Sequence, residues 1–198
     1  MTFTCSAASP AQFPRDGLPE IAFLGRSNVG KSSLLNALAR VKNLARVSAT
    51  PGRTRLLNFF RVADDFYLTD LPGYGYARVP QHVRRDWEPL IRSYLEGRAV
   101  LALCILLVDG RHEPTDTDRS LSRYLDGLQR RYVVAATKTD KLGRGEVARR
   151  HAALCDGLGQ NATEVLAVSA TKRSGLNLLW NAIQGAAQAH RREVKDER

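Results

Sequence analysis

Residues Gly25-Arg26-Ser27-Asn28-Val29-Gly30-Lys31-Ser32 stand in the order G-x-x-x-x-G-K-[ST]. That spacing suits an anion. The glycines let the backbone curl so that successive N–H groups converge, and a helix starting at Lys31 would add the positive end of its dipole. Lys31 can then reach the β- and γ-phosphates of a nucleoside triphosphate, while the Ser32 hydroxyl ligates the magnesium that bridges them. A glycine-rich turn with an exposed lysine would carry the same letters. Context argues against it: the apolar run Ile21-Ala22-Phe23-Leu24 precedes the loop, and Leu34, Leu35, Leu38 and Val41 recur at helical spacing after it.

Further along the chain, Pro51-Gly52-Arg53-Thr54-Arg55-Leu56 closes a loop-like stretch, and the Thr54 hydroxyl is expected to reach magnesium when a γ-phosphate is present. In Asp70-Leu71-Pro72-Gly73, Asp70 would hold the metal mainly through water and the Gly73 N–H would bond the γ-phosphate. Loss of that phosphate would relax both loops, which is a switch. In Thr137-Lys138-Thr139-Asp140, both oxygens of Asp140 can accept from the N1–H and exocyclic amine of guanine, a donor pair that adenine lacks. The Lys138 stem can lie along the base, and Val168-Ser169-Ala170 offers a backbone N–H for guanine O6. Lys31, Thr54 and Gly73 are the expected transition-state positioning groups, with no side-chain base assigned.

These loops need strands to end at and helices to begin. The hairpin-like pair Leu56–Val62 and Phe66–Thr69 and the apolar runs Val100–Val108, Tyr132–Thr137 and Val165–Val168 predict strands. Helical patterns fall near 117–130 and 145–158, and over Val83, Trp87, Leu90, Ile91, Tyr94 and Leu95, where Pro89 predicts a kink or break. A last helix carries Leu176, Leu179, Trp180 and Ile183 on one side, with Ser174 as its expected cap. The alternation implies an α/β fold with a mostly parallel six-stranded sheet, one antiparallel strand and helices on both faces. Ligands in such sheets bind at the carboxyl ends of the strands. Residues 1–19, with Pro10, Pro14 and Pro19, are expected to form an extended arm, 20–190 a single domain and 191–198 a charged tail or solvated helix.

The 198 residues are 43% hydrophobic and 25% charged, enough for one buried core. Thirty basic residues against twenty acidic ones give a formal charge of +10, which points to a polyanionic partner beyond a nucleotide. Cys5, Cys104 and Cys155 form no C-x-x-C pair, and His82, His112, His151 and His190 show no ligand spacing, so neither a disulfide framework nor a zinc site is expected and a reducing cytoplasm is. The longest apolar run is too short to cross a bilayer. No Ser-His-Asp or Cys-His arrangement stands out.

The ordered set of loops resembles the translation-factor-related GTPases, whose Ras-like G domain is a three-layer P-loop NTPase. More narrowly, G-R-S-N-V-G-K-S-S, P-G-[RK]-T, L-N-F-F and above all D-L-P-G-Y-G-Y-A look like the EngB (YihA/YsxC) family of bacterial GTPases, over nearly the whole chain from Glu20 to Trp180. The resemblance implies GTP and GDP as ligands, Mg2+ as cofactor, a role in large ribosomal subunit assembly through its rRNA, and a need for the protein in normal septation. A monomer in the cytoplasm with no membrane insertion is expected. Thr137 replaces the asparagine of most GTPases, which is expected to weaken the bonds tying its loop to the phosphate loop. Tyr74 stands where many carry a water-orienting glutamine, so intrinsic hydrolysis should be slow. Asn28 resembles the asparagine that helps hold K+ in potassium-stimulated relatives, and Arg53 and Arg55 are rival internal charges. The competing readings are a cell-division scaffold regulated by GTP without essential turnover, and a small P-loop kinase or ATPase, against which Asp140 argues.

Overall fold

A computed structural model describes residues 1–41, 44, 56–73, 81–158 and 162–196. Among the described residues seven strands form one sheet: β1 (Thr2–Ala7), β2 (Glu20–Gly25), β3 (Leu57–Val62), β4 (Phe66–Asp70), β5 (Leu101–Asp109), β6 (Tyr132–Thr137) and β7 (Ala162–Ala167). Their order is β1-β3-β4-β2-β5-β6-β7. Only β3 runs against the rest, antiparallel to both β1 and β4, while β4, β2, β5, β6 and β7 pair in parallel.

Among the described residues the α-helices are α1 (Lys31–Ala39), α2 (Gln81–Gly97), α3 (Asp116–Gly127), α4 (Arg144–Gly157) and α5 (Leu176–Asp196). Both faces of the sheet are covered, which is why the central strands read as continuous apolar runs. Along β5 the side chains alternate: Leu103, Ile105 and Leu107 pack with Leu34 and Leu35 of α1 and Leu179 and Ile183 of α5. Cys104, Leu106 and Val108 pack with Leu90, Tyr94 and Leu95 of α2, Leu125 of α3 and Leu154 of α4.

Local details differ from the sequence expectation. The sheet gains a strand, because Thr2–Ala7 of the expected extended arm pairs along β3 from Thr2↔Arg61 to Ala7↔Leu57. Three exposed residues and a cluster of prolines hid it, since an edge strand shows little alternation. Helix α2 continues through Pro89, which sits on its exposed side; the missing N–H removes one helical bond, and burial of Leu90, Tyr94 and Leu95 anchors the rest. Helix α5 begins at Leu176 directly after Gly175, whose φ is +71°, while Ser174 supplies its carbonyl to the Ser169 N–H at 3.0 Å. A Cβ at Gly175 would lie 2.1 Å from the Ala167 carbonyl oxygen, so the chain turns there only as glycine. Helix α5 runs on to Asp196, so the charged segment from Arg191 to Asp196 takes the helical form of the two expected for it.

At the amino end of the sheet, the fully buried Glu20 is held by Arg98, Nε to Oε2 at 3.1 Å and Nη2 to Oε1 at 2.5 Å. Arg98 also donates to the Pro14 carbonyl. That clasp fixes β2 against the end of α2, so that the loop after β2 emerges from a rigid strand at the opposite edge.

Candidate nucleotide site

The loops after β2, β4, β6 and β7 lie at the carboxyl edge of the sheet and touch one another. The turn after β2 starts at Gly25, where a Cβ would sit 2.8 Å from Val29 Cγ1 and 2.9 Å from Leu107 Cβ. Asn28 (φ +64°) and Gly30 (φ +107°) adopt the left-handed region that curls the loop. The Leu34 N–H reaches the Gly30 carbonyl at 2.9 Å, so α1 starts with its N-terminus turned into the loop. Val29 is buried at 2% exposure and pins the curl from below. Arg26 turns outward: its Nε lies 3.6 Å from Asp118 Oδ1, and Asp118 itself closes the capping box with Thr115 at the start of α3.

Lys31 Nζ pairs with Asp70 Oδ1, and both side chains are nine-tenths buried. Ser32 follows on the first turn of α1. The Ser27 hydroxyl lies 3.5 Å from the Gly73 carbonyl, and a Cβ at Gly73 would come within 3.0 Å of Ser27 Oγ. Leu71 and Pro72 are buried, the former with its N–H on the Phe23 carbonyl at 3.2 Å. The phosphate loop and the segment after β4 are thus in van der Waals contact. Leu56 is described and is 36% exposed. Gly52, Arg53, Thr54, Arg55 and Tyr74 lie outside the described residues.

The loop after β6 is tied more firmly to the phosphate loop than its sequence suggests. Thr137 Oγ1 is buried 2.7 Å from the Val29 carbonyl and 3.0 Å from that of Val108. Thr137 thus ties the two loops, although with one hydrogen it donates to one carbonyl at a time. Lys138 (φ +60°) spans the same gap, its Nζ 2.8 Å from the Asn28 carbonyl and 2.9 Å from Asp109 Oδ2. Thr139 Oγ1 donates to the Val168 carbonyl at 3.0 Å, joining this loop to the one after β7.

Asp140 is oriented by Ser169, whose hydroxyl donates to Oδ1 at 2.7 Å while accepting the Lys172 N–H at 3.0 Å. The Ser169 bond, helped by Lys141 and Lys172, holds the Asp140 carboxyl below its ordinary value. The Ser169 N–H is already given to Ser174, so of the pair Ser169-Ala170 it is the Ala170 N–H that is left to meet a ligand.

Asp109, which motif reading missed, joins this cluster of strand-end groups. Burial pushes its carboxyl up, but the Arg111 fork (2.9 and 2.7 Å) and Lys138 outweigh that and hold it well below the usual carboxylate range. The cue was present: a carboxylate ending an apolar strand at the carboxyl edge, as Asp70 does. A cavity of about 650 Å³ between α5 and the starts of β5 and β6 holds none of these loop residues. Among the described residues no cluster of three or more His, Cys, Asp or Glu could hold a metal, and no helix is long and apolar enough to cross a membrane.

Residues 20–138 match the 50S ribosome-binding GTPase family. The chain is 50% identical over 187 residues to the probable GTP-binding protein EngB of Solibacter usitatus, covering 94% of this chain and 96% of the relative. It is 43% identical over 198 residues to that of Citrifermentans bemidjiense, covering 98% and 92%. Among solved structures it is similar to a probable GTP-binding protein EngB (TM-score 0.70, 24% identity, 86% of this chain and 99% of the other). Era in complex with MgGDPNP and nucleotides 1506–1542 of 16S ribosomal RNA shares the fold (TM-score 0.70, 22% identity, 85% and 56%). With the phosphate loop, the strand-end carboxylates and half-identical relatives over nearly its full length, the chain belongs to the EngB family of GTP-binding proteins, within the 50S ribosome-binding GTPases.

Proposed function

We propose that this chain binds GTP and GDP, hydrolyses GTP slowly, and acts as a GTP-dependent switch in assembly of the large ribosomal subunit. The observation that carries the nucleotide reading is Asp140, aimed by Ser169 and set on a loop that Thr137 and Lys138 tether to the phosphate loop. Base and phosphates are then read by parts of one rigid frame. The Asp140 carboxylate accepts from guanine N1–H and the 2-amino group, the Ala170 N–H meets O6, and Lys138 lies along the base. Gly25 to Ser32 wrap the phosphates, with Lys31 on the β- and γ-phosphates.

Ser32 and Asp70 fit a magnesium site, because a hydroxyl and a carboxylate are the hard oxygen donors that ion takes. When bound, the metal neutralises charge across the phosphates. Ser32 would ligate it directly, Asp70 through water, and Thr54 would join when a γ-phosphate is present. Asp70 must release Lys31 in doing so. Gly73 N–H would bond the γ-phosphate, and with Tyr74 in place of a water-orienting side chain, turnover needs help. Asn28 is exposed at the loop tip and is our candidate for a K+-assisted step; faster turnover in potassium than in sodium buffer would support it, and equal rates would remove it.

The ribosomal role is supported by the family description, by the fold shared with an rRNA-bound Era and by the formal charge of +10. We place the protein in the cytoplasm as a monomer, with an associated requirement in cell division. Co-sedimentation with large ribosomal subunits tests this: binding should need a non-hydrolysable GTP analogue, fail with GDP or ATP, and fall steeply with salt. Association with division proteins alone would favour the scaffold reading instead.

A further inference from the structure

His151 and Cys155 are spaced one helical turn apart on the outer face of α4, and both are exposed. The His151 Nε2 lies 2.9 Å from the Val165 carbonyl on the edge strand β7. A carbonyl only accepts, so Nε2 carries the ring hydrogen and Nδ1 presents its lone pair. Cys155 Sγ lies 3.7 Å from that Nδ1. We propose that His151 and Cys155 form a two-point chelate for a soft divalent cation of the zinc class.

Three observations support it. A tetrahedral zinc with Zn–S and Zn–N lengths of about 2.3 and 2.0 Å separates its sulfur and nitrogen by about 3.5 Å, close to the distance already present. The Nε2–H to carbonyl bond is the outer contact that fixes ring orientation and tautomer in metal-bound histidines. Cys155 lies in the last turn of a helix that closes at Gly157, where the dipole favours a cation. The neighbouring Arg150 is paired with Glu113 at 2.6 Å, so its charge is engaged elsewhere. Binding breaks the S–H bond and forms a sulfur–metal bond, the proton leaving to solvent, while Nδ1 donates its lone pair and Nε2 keeps its hydrogen. Water fills the remaining positions, so the site is open and exchangeable.

The test is titration of the reduced full-length protein with Cd2+, following the ultraviolet sulfur-to-cadmium charge-transfer band. The expected result is saturation near about one equivalent with release of about one proton, and displacement by Zn2+. Cys155→Ser should abolish the band, and His151→Gln should weaken Cd2+ binding by about tenfold or more. Cys5→Ser should leave both unchanged, and all three variants should keep nucleotide binding. A band that survives in Cys155→Ser, disappears in Cys5→Ser, or keeps its affinity in His151→Gln would overturn the chelate.

Discussion

The two halves of the candidate site are held in opposite ways. On the base side, each polar group is pinned by a neighbour of fixed geometry: Thr137 by the Val29 carbonyl, Lys138 by the Asn28 carbonyl, Asp140 by Ser169. These bonds hold Asp140 and the edge that would meet guanine in place. On the phosphate side, the lysine and carboxylate that a nucleotide and its metal would use are spent on each other, Lys31 on Asp70. One half is built for a ligand before it arrives, and the other must be opened by it. Selectivity for the base should thus cost little reorganisation, whereas metal and phosphate contacts are gained by exchange, which makes them responsive to whether the third phosphate is there.

Four substitutions probe that contrast. Asp140→Asn removes two charge-assisted bonds of about 1.5–3 kcal/mol each, so GTP affinity should fall by roughly two to four orders of magnitude and xanthosine triphosphate should bind better than GTP; competition binding reads both. Asp70→Asn strips the carboxylate from the exchanging half. It should cut the magnesium-dependent part of GTP affinity by about tenfold or more, a charge-assisted contact being worth about 1.5–3 kcal/mol, while GTP-over-ATP preference persists; loss of that preference would mean the halves are not separable. Thr137→Val, of nearly the same shape, leaves a buried carbonyl unsatisfied at a cost of about 1–3 kcal/mol. Thermal unfolding should show the loss, with GTP and GDP weakened together because the tether serves both.

The smallest effect is expected from Ser169→Ala, and it appears in the pH dependence. Because the folded Asp140 carboxyl sits below its ordinary value, guanine affinity should be present at neutral pH and be lost as pH falls through that lowered value. Without the Ser169 hydroxyl the carboxyl returns toward the ordinary range, so the acid loss of GTP binding should begin at a higher pH. An unchanged acid limb would show that Ser169 does not orient the carboxylate.

Much of this was legible because the relevant signals are local. A glycine-lysine-serine turn between a strand and a helix announces itself in eight residues, and β5 and β6 are apolar on both faces and so read as continuous runs. What escaped detection depended on distance. Thr137 looks like a weaker substitute until Val29, 108 residues earlier, is seen beside it. Asp109 acquires its role only through Lys138 and Arg111. At Ser174-Gly175, capping preference favours serine, while the approach of the Ala167 carbonyl, invisible in sequence, demands glycine.

The strand Thr2–Ala7 has a consequence for solution behaviour. It covers the outer row of N–H and C=O groups on β3, a strand carrying Phe59 and Phe60. Deleting it would uncover a template on which another chain could add, the usual start of edge-to-edge association. A protein shortened before Ala8 should therefore self-associate with rising concentration while its nucleotide-binding edge stays intact.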